Sequence, residues 1–247
     1  MLKSCRRLHN WLGLILAVQI LLWFLSGLIM AILPIEQVRG EHLRQQPVVN
    51  WQQAQVSPAS VLAQHSTKAQ LSFSQQLSLN NPNSNQQQLI AMPVYLVDDA
   101  GKQYRYSSAD GRLLTPLSEQ QITQLAQAQY LGDGAFSGIT LLQQAPAEVR
   151  HLPTPLWQLQ FNDSDNTHFY LDPATGAVLR VRTDSWRWFD FFWMLHIMDY
   201  DTRSDFNNPL LITTAGASLL FTLTGILLLW QRYRPRRKLA VSNLPAN

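Results

Sequence analysis

The chain has 247 residues, and its formal charge of +3 is very unevenly distributed. All 16 acidic residues lie between Glu36 and Asp205, where 11 basic residues leave a formal charge of −5, and both ends are purely basic. We expect no nucleic-acid partner, because the basic residues of the ends flank apolar segments as membrane retention signals do. Cys5 is the only cysteine, which excludes an internal disulfide.

The first apolar segment, residues 8–35, contains no Asp, Glu, Lys or Arg. A helix needs about 20 apolar residues to cross roughly 30 Å of hydrocarbon. The apolar core of a cleaved signal peptide is usually about 7–15 residues long, and this run is longer. We therefore predict a retained transmembrane helix at residues 8–35, after a cytoplasmic tail of residues 1–7.

A linker at residues 36–56 precedes a first folded unit at residues 57–117. This unit begins with a helical stretch at residues 57–66, followed by the alternating strand LSFSQQLSL and a loop rich in Asn, Ser and Gln. Two further strands are expected in PVYLVDDAGKQYRYSSADGRLL, with turns at residues 98–101 and 109–111.

A second unit at residues 118–184 has the same order of parts. Ser118 is a suitable N-cap for the helix SEQQITQLAQAQ, and alternating strands follow in PLWQLQFNDSDNTHFYLDPATGAVLRV. Two copies of a helix followed by antiparallel strands predict an α+β fold with an internal repeat.

The last part of the chain returns to the membrane. Residues 185–205 are dense in aromatic side chains and predict an interfacial helix and a linker. A second transmembrane helix is expected at residues 206–231, beginning at Asn208 and Pro209, before a tail at residues 232–247. The basic tails place both termini in the cytoplasm. We then expect the central domain in the periplasm and the two helices in the inner membrane of a Gram-negative-type cell.

Two histidines lie next to the predicted spans. His9 is at the cytoplasmic end of the first helix, and His196 lies in the aromatic segment outside the second. A neutral imidazole is a common axial ligand of haem iron. The alternative is that both side chains merely reach into the lipid headgroups. The remaining four histidines have no metal-ligand spacing, and the chain has no phosphate-binding loop and no hydrolase motif.

The motifs at both ends and in the middle resemble one family. RRLHNWLGLILAVQILLWFLSGL is similar to the first helix of PepSY-associated transmembrane proteins, and WMLHIMDY with LTGILLLWQRYRP resembles a later helix. The strands ending in SADGRLL and PATGAVL resemble PepSY domains. Some members of this family are ferric-siderophore reductases that hold b-type haem through helix histidines. The resemblance therefore implies a haem-binding or accessory subunit in transmembrane electron transfer linked to iron acquisition, with His9 and His196 as cofactor ligands.

A full span of roughly 30 Å separates the two histidines, so one iron cannot bind both within one chain. Either each histidine serves a separate haem together with a partner from another chain, or only one of them binds. The expected partner is another membrane protein or a second copy of the chain. No flavin or nicotinamide motif is present, so a partner must deliver electrons and whether the chain is itself an enzyme stays open. The alternative implied by the resemblance is a non-catalytic periplasmic module that binds a peptide or protease, or that assembles a complex.

Overall fold

The computed structural model describes residues 2–80 and 88–234. The middle of the expected Asn-rich loop and most of the C-terminal tail lie outside the described residues. The chain divides into two compact units, one formed by Met1–Ile32 with Asp190–Asn247 and the other by Leu33–Phe189. Each is described by itself below.

Two long helices dominate the first unit. Helix α1 runs from Leu2 to Ile32 and the last helix, α6, from Pro209 to Tyr233. Both are long and apolar enough to cross a membrane, and most of their side chains face outward. The two helices pack closely where Gly13 meets the ring of Phe221, because a Cβ atom at Gly13 would lie only 2.9 Å from that ring.

The N-terminal end of α6 follows local capping rules. The Asn208 side chain accepts a hydrogen bond of 2.8 Å from the N–H of Leu211, and Pro209 occupies the first turn. The start predicted from Asn208 and Pro209 is therefore where the helix begins. Helix α1 begins at Leu2, so the basic residues that precede the first apolar segment are themselves helical.

The connection between α5 (Asp184–Ile197) and α6 is organised by one carboxylate. Asp199 accepts hydrogen bonds from the Thr202 hydroxyl and from the N–H groups of residues 201, 202, 204 and 205. The Thr202 hydroxyl and these backbone donors hold the pKa of Asp199 well below its usual range. The aromatic segment therefore ends in a fixed turn.

The central unit begins with two short helices, α2 (Ile35–Val38) and α3 (Pro58–Leu62). An antiparallel sheet follows, in the order β1 (Gln70–Asn80), β2 (Gln88–Asp99) and β3 (Lys102–Ser107). Val61 of α3 packs with Tyr95, Val97 and Tyr106 in one core cluster. The alternation of the sequence thus places one face of this sheet against the helix.

The second sheet follows helix α4 (Glu119–Gln129). Its four antiparallel strands are β4 (Ala135–Leu142), β5 (Leu156–Asn162), β6 (His168–Leu171) and β7 (Val178–Arg182), in that order. Ser118 and Gln121 form the full capping box of α4. Ile122 and Ala126 of α4 pack against Leu159, Phe161 and Phe169 of the sheet. The α+β class of the central region is confirmed.

The segment predicted as a linker, residues 36–56, is more ordered than that term implies. It contains α2 and two 3₁₀ turns. Its backbone also pairs with the end of α4: Gln45 N–H donates to the carbonyl oxygen of Gln129, and Leu131 N–H donates to that of Leu43. Composition did not reveal this contact, because the two partners are more than 80 residues apart in the chain.

Candidate functional site

His9 lies against α6. Its Nδ1 is 3.0 Å from the hydroxyl of Thr224 and 3.2 Å from the carbonyl oxygen of Phe221. The imidazole stacks on the Phe221 ring, with centroids 4.3 Å apart and planes 6° from parallel. A Cβ atom at Gly225 would lie 3.1 Å from His9 Cε1, so the glycine allows the ring to lie flat against the helix.

His196 lies against α1 in a similar way. Its Nδ1 is 3.0 Å from the hydroxyl of Ser26, which is only 1% exposed. The carbonyl oxygen of His196 accepts a hydrogen bond of 2.8 Å from the indole N–H of Trp23. A Cβ atom at Gly27 would be 3.5 Å from His196 Cε1. The ring therefore sits over a serine and a glycine that are adjacent in sequence.

The hydroxyl groups favour one tautomer of each ring. Ser26 has a carbonyl acceptor in Leu22 at 2.6 Å, and Thr224 has one in Phe221 at 2.7 Å. With its proton directed to that carbonyl oxygen, each hydroxyl offers lone pairs to the neighbouring histidine, which favours the neutral ring with its proton on Nδ1. The Nε2 atoms carry lone pairs, and neither makes a hydrogen bond within the described part of the chain.

This arrangement has the features of a histidine prepared to bind a metal. Metal-binding histidines usually donate the second ring N–H to an oxygen, which fixes the tautomer and the ring orientation. The donor set at each position fits one axial ligand of a haem. Within the described residues no group of three or more His, Cys, Asp or Glu side chains that could hold a metal ion is present.

The two positions are separate sites. His9 is on α1, and His196 contacts the same helix at Ser26, 17 residues further along. At 1.5 Å per residue the separation is about 25 Å. The structure thus places His9 and His196 at two separate positions along α1, which agrees with the expectation that one iron cannot bind both.

Sequence reasoning missed the residues that receive the two rings. Ser26 and Thr224, the two hydroxyl residues that contact the rings, were not assigned a role. A signal was present: Leu-Ser-Gly in α1 and Leu-Thr-Gly in α6 are the same short pattern. In each helix the hydroxyl residue is followed directly by the glycine. One pattern therefore supplies both the hydrogen-bond acceptor for the histidine and the space for its ring.

Two other histidines have partners in the central unit. His65 Nδ1 lies 3.3 Å from Asp99 Oδ2, and its Nε2 lies 2.9 Å from the Tyr106 hydroxyl. His168 lies beside Glu148 and Arg187, with Nδ1 3.5 Å from the Glu148 carboxylate. Since both rings are held in local polar networks, neither competes with His9 and His196 as a ligand candidate.

One protein-family model matches almost the whole chain. The family model described as the PepSY-associated TM region matches residues 6–245. The chain belongs to the PepSY-associated transmembrane family. A comparison with curated proteins and a comparison with solved structures returned no match.

The family match extends over both long helices and the sheets between them. This PepSY-associated protein is therefore a membrane protein in which two terminal spans flank an α+β region. The environment of the two long helices is a lipid bilayer. His9 and His196 belong to this membrane part of the PepSY-associated protein, and their glycine partners lie on its two spanning helices.

Proposed function

We propose that this protein is a haem-binding subunit of a transmembrane electron-transfer system linked to iron acquisition. The single observation that carries the proposal is the matched environment of His9 and His196. Each ring donates Nδ1–H to a buried hydroxyl and leaves the Nε2 lone pair for a ligand.

His9 and His196 would each hold one b-type haem, together with a residue from another chain. A bound haem would supply a one-electron iron couple at each position. The residues of this chain would hold and orient the ligands: Thr224 and Ser26 fix the tautomer, and Gly225 and Gly27 leave room for the rings. The required second chain is either another membrane protein or a second copy of this one.

The basic flanks of the helices support a further part of the proposal. They favour a topology with both termini in the cytoplasm of a cell with an inner membrane and with the sheets in its periplasm. His9 then lies at the cytoplasmic side and His196 at the periplasmic side. Electrons delivered by a cytoplasmic partner would reach the His9 site first and the His196 site second.

The test is the absorption spectrum of the full chain, expressed with excess haem and purified in detergent. We expect a Soret band whose intensity falls by about half in either His9→Ala or His196→Ala and disappears in the double variant, because each histidine supplies a separate ligand. His42→Ala is the matched control, since His42 is exposed and lies outside both sites. A wild-type chain without a Soret band, or a double variant that keeps it, would overturn the proposal.

A second candidate function rests on a different observation. Strand β4 is an edge of its sheet, and its segment AFSGITLL contains no charged residue and no proline. Charged side chains and prolines normally protect such an edge from further pairing. The β4 edge can therefore accept an extended peptide as a fifth strand, as in a periplasmic interaction module.

Partner binding separates the two candidates. A periplasmic protein that co-purifies with both the wild type and the His9→Ala/His196→Ala variant, but not with Thr140→Pro, would favour the interaction module. Thr140 lies within β4, where a proline cannot donate a backbone hydrogen bond. Binding that depends on the histidines instead would favour the haem subunit.

A further inference from the structure

A cavity of about 380 Å³ in the central unit is lined by arginines from two distant parts of the chain. Arg39 and Arg44 come from the segment after α1, and Arg180 and Arg182 come from strand β7. Glu41 is the only carboxylate among the residues that line it. The described walls thus carry four positive charges and one negative charge. This volume is at the lower end of the range of small-molecule sites.

The backbone brings these arginines together for a definite reason. Gly40 has φ of +67°, and a Cβ atom there would lie 2.5 Å from Val181 Cγ1. Only glycine lets the chain after α2 approach β7 this closely. Arg44 Nη1 then donates to the carbonyl oxygen of Val178 at 2.9 Å, which fixes the arginine against the strand.

The positive charges are balanced mainly by neutral groups. Arg180 Nη1 donates to the carbonyl oxygen of Leu179, and the guanidinium of Arg182 lies 3.9 Å from the Trp186 ring centre. Among the described residues, Arg39, Arg44 and Arg180 take part in no ion pair. None of these three guanidinium groups is therefore within ion-pair distance of a carboxylate, although Glu41 also lines the cavity.

The charges also act on one another. Burial lowers the pKa of Arg44, Glu41 partly offsets this effect, and Arg180 lowers the pKa further by repulsion. Converging like charges cost free energy unless an opposite charge enters between them. By contrast, Arg187 in the same unit has both Glu148 and Asp184 as partners. The arrangement around the cavity is thus one that a bound anion would stabilise.

We propose that this arginine cavity is a binding site for a phosphate group. Guanidinium groups bind phosphate oxygens in a bidentate manner, and a phosphate brings the multiple negative charge that three unpaired arginines require. The phosphate is either that of a soluble molecule or that of a lipid headgroup. Arg44 and Arg182 form the rigid wall of the site, and the exposed side chains of Arg39 and Arg180 close on the ligand. This site is independent of the two histidines.

The experiment uses the full chain and the variant Arg39→Gln/Arg180→Gln, which removes two exposed charges and leaves the structural hydrogen bond of Arg44 intact. The matched control is Lys68→Gln/Lys102→Gln, which removes two exposed positive charges elsewhere in the central unit. A third variant, Arg39→Lys/Arg180→Lys, keeps the positive charges but removes the planar guanidinium groups. Circular dichroism establishes that all four proteins have the same fold.

Two ligand sources are tested in parallel. Calorimetry of detergent-purified protein measures binding of inorganic pyrophosphate. Native mass spectrometry measures how much phosphatidylglycerol stays bound, relative to phosphatidylcholine, after release from nanodiscs made of equal parts of the two lipids. We expect binding of one ligand to weaken roughly tenfold or more in the glutamine variant, since each charge-assisted hydrogen bond contributes about one order of magnitude.

The outcomes distinguish the sources. Loss of pyrophosphate binding in the glutamine variant alone supports a soluble phosphate, and loss of preferential phosphatidylglycerol retention alone supports a lipid headgroup. An intermediate affinity of the lysine variant supports recognition by the planar guanidinium. A wild-type protein that binds neither ligand overturns the proposal, and so does an equal loss in Lys68→Gln/Lys102→Gln.

Discussion

The Ser26 hydroxyl lies 3.0 Å from His196 Nδ1 while donating its own proton to the carbonyl oxygen of Leu22. The serine therefore acts as the acceptor for the histidine. Thr224 has the same relation to His9 on the other long helix. Each of these two hydroxyl groups donates a hydrogen bond to a carbonyl oxygen of its own helix. Each also accepts a hydrogen bond from an imidazole and thereby orients it.

Removing this acceptor is expected to weaken the helical unit. Ser26→Ala leaves the Nδ1–H of His196 without its partner, which should lower the free energy of unfolding by about 0.5–1.7 kcal/mol, as found for hydrogen bonds between membrane helices. Ser218→Ala is the matched control, because the buried Ser218 hydroxyl has no hydrogen-bond partner in the described structure. Denaturant unfolding in detergent measures both, and equal losses would contradict the role assigned to Ser26.

The space left by Gly225 leads to a second prediction. Gly225→Val places atoms against His9 Cε1, which a Cβ atom alone would approach to 3.1 Å, and overpacking of this kind costs about 1–3 kcal/mol. Gly216→Val on the same helix is the control, since nothing lies within 4 Å of a Cβ atom there. Thermal unfolding in detergent should show a lower midpoint for Gly225→Val than for Gly216→Val. The reverse order would show that His9 does not occupy this position.

The network around Glu148 predicts a dependence of stability on acid. Burial alone would raise the pKa of Glu148, but hydrogen bonds from His168, Tyr170 and Arg187 outweigh it and lower the pKa to about 2. A carboxylate with a depressed pKa stabilises the fold above its unfolded pKa of about 4.5, and this contribution is lost as the pH falls towards 2.

This range of pH sets the expected size of the stability change and the choice of control variant. At neutral pH Glu148→Gln should be less stable than the wild type by up to about 3 kcal/mol, and the difference should shrink between pH 4.5 and pH 2. Urea unfolding at several pH values measures this difference in the free energy of unfolding. Glu119→Gln, at an exposed position in the first turn of α4, should show no such convergence. A constant difference across this range would contradict the assigned network.

Tyr130 offers a test of the contact between α4 and the second sheet. Its hydroxyl donates to Asp163 Oδ2 at 2.7 Å and accepts from Gly134 N–H at 3.1 Å, while its ring stacks on Phe161. Tyr130→Phe keeps the stacking and removes both hydrogen bonds, which should cost about 1–3 kcal/mol. Tyr104→Phe is the control, because the Tyr104 hydroxyl makes no hydrogen bond in the described structure. Chemical unfolding that affects both variants equally would assign the loss to the phenol rather than to its partners.

Much of the fold could be predicted because the relevant signals are local. The absence of charge over residues 8–35 and 206–231 indicated both spans, and Asn208 with Pro209 marked the start of α6. Ser118 likewise indicated the N-terminus of α4. Each signal acts within one turn or one span, so it can be recognised without knowing the tertiary partners.

The candidate sites depend on contacts that local patterns do not contain. The histidines could be identified by residue type, but the orientation of His9 depends on Thr224, more than 200 residues away. The arginine cavity requires Arg44 and Val178 to meet, which depends on the glycine at position 40. The internal repeat stays a prediction, and the second sheet has one strand more than the first.

The backbone pairing between Leu43, Gln45 and the end of α4 has a mechanical consequence. Only ten residues, 33–42, lie between the end of α1 and this pairing, and some of them are helical. The hydrogen bonds of Gln45 to Gln129 and of Leu131 to Leu43 join this segment to the end of α4. Separating residues 43–45 from the end of α4 would therefore require breaking both of these hydrogen bonds at once.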